Sequence, residues 1–408
     1  MNCDNLIGVG VKIMKYNFSD RISALQPSAI REILKMSSDP KVISFAAGNP
    51  APDAFPTEAI AAISQEVLKE NPVSALQYSL TEGYPALRTT MKEFILNRYG
   101  IGKAFDELII VSGAQQGIEL TCKVLCNEGD TIICEDPTFI GSLNSFRSYN
   151  TQLVGVEMEA DGIKIDSLEK ALINHPETKF IYVIPNFQNP TGITMSYEKR
   201  KRVYELAQQH QVMIIEDNPY GDLRFDGEDI PSIKSMDTDG LVIYVGSFSK
   251  VLSPGMRVGY LCGPQEVVSK IVVAKQCADV HSNILAQIIC EKFVTHYDIQ
   301  GHLERLKTIY KKKCTLMLDE MDKHFAKCVT YTRPQGGLFI WCTLPKEVDM
   351  VAFCKKAVSD YKVAVVPGSA FTVTEGAPTQ SFRINFSTPT DEHIIKGIEI
   401  LGKMTQEI

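Results

Sequence analysis

The stretch from Val242 to Gly259 constrains the possible fold of this chain more than any other stretch does. It begins with the apolar run Val-Ile-Tyr-Val-Gly, which is too short for a helix and is rich in β-branched residues, as buried strands are. Serine-rich and glycine-rich chain follows, so the strand ends in a loop, and that loop carries Lys250. Burial and a nearby cation such as Arg257 both lower the pKa of an ammonium group, and a neutral amine can attack a carbonyl. The stretch therefore predicts a reactive lysine at the end of a buried strand.

Groups that suit a phosphate accompany this lysine. Ser247 and Ser249 supply hydroxyl donors, and Arg257 supplies a guanidinium fork seven positions after the lysine. Far away in sequence, Ala114 and Gln115 follow a glycine that turns a predicted strand into a helix, and the first N–H groups of a helix bind anions. We expect these two residues at the same phosphate. An aldehyde that carries a phosphate and forms an imine with a lysine is pyridoxal phosphate.

Apolar runs of strand length alternate with helical patterns through the first two thirds of the chain. We predict strands at residues 108–112, 131–135, 180–184, 212–217 and 258–262. Asn189 precedes Asp217 by 28 residues, and Asp217 precedes Lys250 by 33, which is one strand-crossover unit in each case. The acid at 217 would face the ligand crevice of an open sheet. The alternation predicts an α/β fold.

The chain after residue 298 shows a different order of elements. A long amphipathic helix at 299–325 is followed by strands at 337–341, 363–366 and 382–386 and by helices at 350–361 and 392–404. This mixture predicts a small α+β domain. We therefore predict an N-terminal segment, 1–50, that joins the small domain, a large cofactor-binding domain, 51–298, and the small domain, 299–408.

The run Ser-Phe-Ser-Lys, followed by Gly-Met-Arg-Val-Gly, closely resembles the cofactor-lysine segment of fold-type I pyridoxal phosphate enzymes. The resemblance is strongest to class I/II aminotransferases of the kynurenine/2-aminoadipate and aromatic branch, and it covers about residue 20 to the end. It implies a large domain with a mostly parallel sheet sandwiched by helices, and a small α+β domain. It also implies that Lys250 is the Schiff-base lysine and the proton shuttle.

The same resemblance implies further contacts with the cofactor. Asp217 would pair with the pyridine nitrogen, while Asn189, in the run Asn-Pro-Thr-Gly, and Tyr220 would donate to the phenolate oxygen. Phe139 would stack on the ring, although a core phenylalanine at a helix start explains it as well. Tyr78 would reach the cofactor phosphate of the neighbouring subunit, so a homodimer with active sites at its interface is implied.

Substrate contacts are implied at four positions. Arg383 alternates with apolar residues in a predicted strand, where it needs a carboxylate partner, and it resembles the arginine that grips the substrate α-carboxylate. Asn189 would also contact the substrate, and Gly48 could let it approach the backbone, although a plain turn explains this glycine too. Arg21 could recognise a second carboxylate, as in 2-aminoadipate or glutamate, or could be a surface arginine in a mobile arm.

Composition excludes several other classes of protein. The chain has 408 residues, 44% hydrophobic and 22% charged, and its net charge of −7 gives no reason to expect nucleic acid as a partner. No apolar run is long enough for a membrane helix, and the first residues lack the features of a signal peptide. Eleven scattered cysteines without a CxxC pair suggest reduced thiols in the cytoplasm. Seven histidines show no metal-binding spacing, so no metal is expected.

We therefore predict an aminotransferase that moves the amino group of an α-amino acid to a 2-oxo acid, in the first place 2-oxoglutarate, by a ping-pong mechanism. Aromatic, 2-aminoadipate and branched-chain donors all stay open. A pyridoxal phosphate lyase or decarboxylase would share every cofactor contact. A regulatory module that binds the cofactor is a further alternative, but it would need a DNA-binding domain, and the stretch before Gln26 looks too short for one.

Overall fold

The computed structural model of the protein describes residues 16–23, 25 and 39–408. The strands are β1 Ile43–Ser44, β2 Asp106–Val111, β3 Thr131–Asp136, β4 Gln152–Glu159, β5 Gly162–Ile163, β6 Phe180–Val183, β7 Met213–Asp217, β8 Val242–Ser247, β9 Gly259–Pro264, β10 Thr330–Tyr331, β11 Phe339–Thr343, β12 Val363–Ala364, β13 Val366–Pro367 and β14 Ser381–Asn385.

The helices are α1 Asp20–Ser23, α2 Thr57–Glu70, α3 Pro72–Leu76, α4 Pro85–Tyr99, α5 Ala114–Leu125, α6 Ile140–Arg147, α7 Ile165–Asn174, α8 Tyr197–His210, α9 Ile233–Met236, α10 Gln265–Ala278, α11 Ile284–His296, α12 Ile299–His324, α13 Met350–Ser359 and α14 Asp391–Gln406. No helix within these described ranges is both long and apolar enough to cross a bilayer.

A large mixed sheet forms the centre of the fold. Its strands lie in the order β2-β9-β8-β7-β6-β3-β4-β5. The inner strands β8, β7, β6, β3 and β4 are parallel, whereas β9 runs antiparallel to both of its neighbours and β5 forms a hairpin with β4. Every residue of β6 is buried, as expected for a parallel strand that has helices on both faces. The predicted α/β fold class is confirmed.

The topology of this sheet brings several loops together at one edge. β3, β6, β7 and β8 are parallel, so their carboxyl ends lie side by side. β2 runs in the same direction, because β9 lies antiparallel between it and β8. The loops after these strands, and the start of α5, therefore meet at the carboxyl edge, where open α/β sheets bind ligands.

A second, smaller sheet is formed by the C-terminal part of the chain. Its strands are all antiparallel, in the order β10-β11-β14-β13, and α12 packs against α14. β1, from the N-terminal segment, pairs in parallel with β12. This pairing agrees with an N-terminal segment that joins the small domain, but most of the first 38 residues lie outside the described part, and the three domain boundaries stay predictions.

The chain at 363–367 and strand β4 are two places where the structure differs from what the sequence indicates. The single strand predicted at 363–366 is two strands in different sheets, because β12 pairs with β1 while β13 pairs with β14. The run is apolar on both sides of this change, so no polar residue marks it. β4 is an additional strand near the edge of the sheet, and its exposed charged residues hide it from a search for apolar runs.

Candidate active site

A cavity of about 420 Å³ lies at the carboxyl edge of the large sheet, where residues of the small sheet close it. All site residues predicted from the sequence except Tyr78 and Arg21 line this cavity. They are Gly48, Ala114, Gln115, Phe139, Asn189, Asp217, Tyr220, Ser247, Ser249, Lys250, Arg257 and Arg383. Residues that are more than 300 positions apart in the chain therefore share one wall, as a single binding site requires.

Lys250 follows β8 and extends into this cavity. Its Nζ donates to the carbonyl oxygen of Gly48 at 2.8 Å. Burial, and to a smaller extent the positive charges of Arg383 and Arg257, lower the pKa of the amine to about 8. A substantial fraction of the amine is therefore neutral near pH 8, and a neutral amine is the form that attacks an aldehyde.

Asp217, the last residue of β7, is a buried carboxylate with an unused oxygen. Its Oδ2 accepts a hydrogen bond of 2.7 Å from the hydroxyl of Tyr182, which accepts one in turn from Ser142 at 2.8 Å. Among the described residues, its Oδ1 has no hydrogen-bond partner. Burial raises the pKa of Asp217 to about 7, and the Tyr182 hydrogen bond offsets part of that rise. An unpartnered buried carboxylate oxygen is costly, so this position calls for a donor from a ligand.

The turn between β2 and α5 forms the anion-binding corner of the cavity. Gly113 takes the left-handed region, with φ 82°, and α5 starts after it with unpaired N–H groups. Arg257 lies beside the turn, where its Nη2 donates to the carbonyl oxygen of Ser112 at 3.1 Å. A Cβ atom on Gly113 would lie 2.3 Å from that Nη2, so only glycine allows the approach. A phosphate would fit at this corner, where it could bind the start of α5, the guanidinium of Arg257 and the hydroxyl of Ser247.

Gln115 contributes to this corner differently from its neighbours. Its side-chain amide donates to the carbonyl oxygen of Gly141 at 2.9 Å and to the hydroxyl of Ser145 at 2.7 Å. These bonds hold the side chain against α6. Only the backbone N–H of Gln115 is therefore available to an anion at the start of α5.

Arg383 on β14 forms the opposite corner of the cavity. Its guanidinium is buried, lying 4.2 Å from the ring centre of Phe339 and 4.8 Å from that of Phe371. It donates to Asn189 Oδ1 and to the carbonyl oxygen of Ala46, both at 2.8 Å, and its Nε has no partner within residues 16–23, 25 and 39–408. Burial lowers its pKa to about 10, and the neighbouring Tyr220 offsets part of that fall.

The cation of Arg383 has neutral oxygens around it, and the described residues contain no ion pair with it. A buried charge without a counter-charge is expensive. A planar carboxylate from a ligand would supply that charge and take two parallel N–H donors. The corner therefore fits a substrate carboxylate.

Several residues of the site are not apparent from sequence reasoning. Tyr182 supports Asp217, and Phe339 stacks on Arg383. Gln188 holds the loop that carries Asn189, because its Nε2 donates to the carbonyl oxygen of Pro137 at 2.7 Å. The signal for Tyr182 is present, since a tyrosine in an otherwise apolar strand needs a partner for its hydroxyl.

Tyr78 and Arg21 are not brought into the cavity of this chain. The Tyr78 side chain is 81% exposed and its ring meets that of His281 edge to face, with centres 5.8 Å apart. Arg21 is exposed in the short helix α1. Both assignments stay predictions.

The residues present fit pyridoxal phosphate at three points. The Gly113 turn and Arg257 accept a phosphate, the free oxygen of Asp217 accepts a donor such as a ring N–H, and Lys250 offers an amine for the aldehyde. Phe139 supplies an apolar face on the same wall. An α/β fold of this topology with this site defines the fold-type I pyridoxal phosphate enzymes.

Comparison with known proteins indicates which group of fold-type I pyridoxal phosphate enzymes this chain resembles. Residues 40–401 match the family "Aminotransferase class I and II". The chain is 38% identical to aromatic-amino-acid aminotransferase 1 of Thermococcus litoralis over 96% of this chain and 94% of the relative. It is 36% identical to 2-aminoadipate transaminase of Thermus thermophilus, over 95% and 96%. The solved structure of kynurenine aminotransferase from Pyrococcus horikoshii matches with a TM-score of 0.92 and 34% identity, over 96% and 97%.

The chain belongs to the class I and II aminotransferase family. It is a pyridoxal phosphate-dependent aminotransferase of fold type I, as the sequence predicts.

Proposed function

We propose that this aminotransferase takes the amino group from aromatic α-amino acids and passes it to 2-oxoglutarate in a ping-pong reaction. The observation that carries the proposal is the buried guanidinium of Arg383 in the same cavity as the amine of Lys250. One arginine that binds an α-carboxylate serves the amino acid and the 2-oxo acid equally, because both carry that group. A single site can therefore bind the two substrates in turn.

Pyridoxal phosphate, when bound, supplies an aldehyde that takes up the amino group and a ring that withdraws electrons from the substrate Cα. The chain supplies the proton transfers. With the cofactor bound, Lys250 Nζ would be the base that removes the proton from the substrate Cα. Its pKa of about 8 places it near the pH at which it must both accept and return that proton.

Other side chains orient the cofactor and set its charge. Asp217 would keep the ring nitrogen protonated through its free oxygen, and Phe139 would stack on the ring. Asn189 and Tyr220 would donate to the phenolate oxygen, and burial raises the pKa of Tyr220 above its usual value, which keeps it a donor. These are the roles that the family resemblance implies for matching positions.

An aromatic donor is favoured by the wall of the cavity. Ile118, Ile140, Ile184 and Phe339 give it a largely apolar surface. The relative from Thermococcus litoralis carries an aromatic aminotransferase name, which supports the same choice. A 2-aminoadipate donor is the second candidate, because the Thermus relative is named for it and Arg21 would offer a second carboxylate site if α1 closed over the cavity.

A homodimer is part of the proposal. Tyr78 would complete the phosphate site of a partner subunit, and it lies among exposed apolar side chains: Leu76 is 71% exposed and Leu80 is 53% exposed. Exposed apolar side chains grouped in this way are typical of a surface that a partner covers. A cytoplasmic location is also proposed, and the ten described cysteines, all free thiols, support it.

The proposal is tested by a single half-reaction. Holoprotein is mixed with phenylalanine in the absence of any 2-oxo acid, and the products are quantified with the Lys250→Ala variant as control. We expect one equivalent of phenylpyruvate per site, and continued turnover only after 2-oxoglutarate is added. Release of carbon dioxide would instead establish a decarboxylase. A panel with 2-aminoadipate and leucine then ranks the donors, and a preference for leucine would refute the aromatic assignment.

A further inference from the structure

An ion pair between a buried lysine and a partly exposed aspartate lies beside the phosphate corner and outside the cavity. Lys275, in the last turn of α10, has a fully buried side chain, and its Nζ donates to both carboxylate oxygens of Asp279, at 2.8 and 2.9 Å. The same nitrogen donates to Gln116 Oε1 at 2.8 Å and to the hydroxyl of Ser282 at 3.0 Å. Neither member of the pair lines the cavity.

Lys275, Asp279, Gln116 and Ser282 form one hydrogen-bonded group, called the Lys275 cluster below. The cluster binds Ser112, the residue immediately before Gly113. The backbone N–H of Ser112 donates to Gln116 Oε1 at 2.7 Å, the oxygen that Lys275 also uses. The hydroxyl of Ser112 donates to Asp279 Oδ2 at 2.8 Å. Two of the three polar groups of Ser112 are thus bound directly to the cluster.

The third polar group of Ser112 connects the cluster to the anion site. Its carbonyl oxygen accepts the 3.1 Å hydrogen bond from Arg257 Nη2. Arg257 is exposed and lies in the left-handed region, with φ 54°, a conformation that the surroundings must hold in place. The cluster fixes the position of the Ser112 carbonyl group through its bonds to the N–H and hydroxyl of Ser112. That carbonyl group in turn orients the guanidinium of Arg257.

We propose that Lys275 and Asp279 are positioning residues for cofactor binding: together they hold the Ser112–Gly113 turn and Arg257 in the arrangement that receives the phosphate. The inference rests on the proposed role of this corner as the phosphate site. The pair touches neither cofactor nor substrate. Its effect is expected on phosphate recognition and not on the aldehyde chemistry at Lys250.

A matched control exists at the opposite end of the same sheet. Lys234 is also fully buried, and its Nζ donates to Asp106 Oδ1 at 2.6 Å and to Asp237 Oδ2 at 2.8 Å. Asp106 begins β2, whereas the phosphate turn follows the end of β2. Lys234→Met therefore breaks ion pairs that are buried more deeply than that of Lys275, without touching the turn.

The test compares the binding of pyridoxal phosphate with that of pyridoxal, which lacks the phosphate. Apoprotein of full length is titrated with each, and the absorbance of the lysine imine reports binding. For Lys275→Met we expect affinity for pyridoxal phosphate to fall about tenfold or more, which is about 1.4 kcal/mol, with affinity for pyridoxal changed less than about twofold. Lys234→Met should change neither affinity by more than about twofold, although both variants lose stability.

A second variant separates positioning from folding. Lys275→Met/Asp279→Leu removes both charges at once, so it avoids the stability cost of leaving the partly buried carboxylate of Asp279 without its cation. It should recover much of the thermal stability and still bind pyridoxal phosphate weakly. Equal losses for the two ligands in Lys275→Met, or normal pyridoxal phosphate binding in the double variant, would overturn the inference.

Arg257→Ala is measured in parallel. If it lowers affinity for pyridoxal phosphate and Lys275→Met does not, the phosphate corner stands and the positioning role fails. If Arg257→Ala also leaves the affinity unchanged, the proposed phosphate site itself is wrong. Inorganic phosphate gives an independent reading, because it should raise the melting temperature of wild-type apoprotein and of Lys234→Met but not that of Lys275→Met.

Discussion

Replacing Asp217 with Asn should have opposite effects on the empty and the loaded protein. In the apoprotein the carboxylate is buried, with one oxygen bound to Tyr182 and the other without a partner in the part of the chain that the structure describes. The amide of Asn has the same size and no charge. The substitution therefore removes a buried charge from the apoprotein, and in the holoprotein it removes the counter-charge of the ring nitrogen.

The size of the first effect follows from the pKa of Asp217. Burial raises this pKa from 3.8 to about 7. Between these values the folded protein binds more protons than the unfolded chain, so stability falls as pH rises through this window. A shift of about three units amounts to about 4 kcal/mol. Relative to wild type, Asp217→Asn apoprotein should gain up to about that free energy of unfolding between pH 4 and pH 8, with no further gain above.

The measurement is denaturant unfolding of both apoproteins across this pH range, since the difference between the two curves cancels the titration of all other groups. Tyr182→Phe is the control: it keeps the charge and removes its hydrogen bond, so its fall in stability should extend to higher pH than in wild type. In the presence of the cofactor, wild type should become the more stable of the two proteins. Asp217→Asn should bind pyridoxal phosphate about 10- to 100-fold more weakly than wild type does. A pH-independent difference between the apoproteins would refute the reasoning.

Three further predictions concern the other corners of the cavity. Gly113→Ala should weaken binding of pyridoxal phosphate about tenfold or more, because its Cβ would meet Arg257. Gly129→Ala is the control, since Gly129 has a similar φ of 85° and open space around it, and it should leave the affinity unchanged. Equal losses of affinity in the two variants, measured by titration, would contradict this prediction. Arg383→Lys should raise the KM for amino acids about 10- to 100-fold, since a bidentate contact is lost, and an unchanged KM would exclude the carboxylate role. Acylation of apoprotein followed by peptide mass spectrometry should show Lys250 reacting with a midpoint near pH 8, and a midpoint near 10 would exclude its lowered pKa.

Much of this site is predictable because its charged residues interrupt apolar sequence. Asp217 and Arg383 lie within buried strands and Lys250 lies three residues after one, where an ionised group without a partner is costly. Residue type and strand position thus indicate the chemistry, and the parallel topology explains why the groups after β7 and β8 meet.

What the sequence does not indicate depends on contacts between distant side chains. Gln115 points its amide towards α6 because the backbone of Gly141 lies there, which no local pattern reveals. The Lys275 cluster joins residues from α5, α10 and the turn after it, and in sequence each member resembles an ordinary surface residue. Tyr78 acts, in the proposal, on another copy of the chain, so a single chain cannot display its role.

The central claim is that the cofactor aldehyde is bound by the amine at position 250. Borohydride reduction of the holoprotein fixes such an imine as a stable secondary amine, and peptide mass spectrometry then locates it. We expect one phosphopyridoxyl group per chain, on the peptide that contains Lys250. A label on any other lysine, or full labelling of the Lys250→Ala variant, would contradict it.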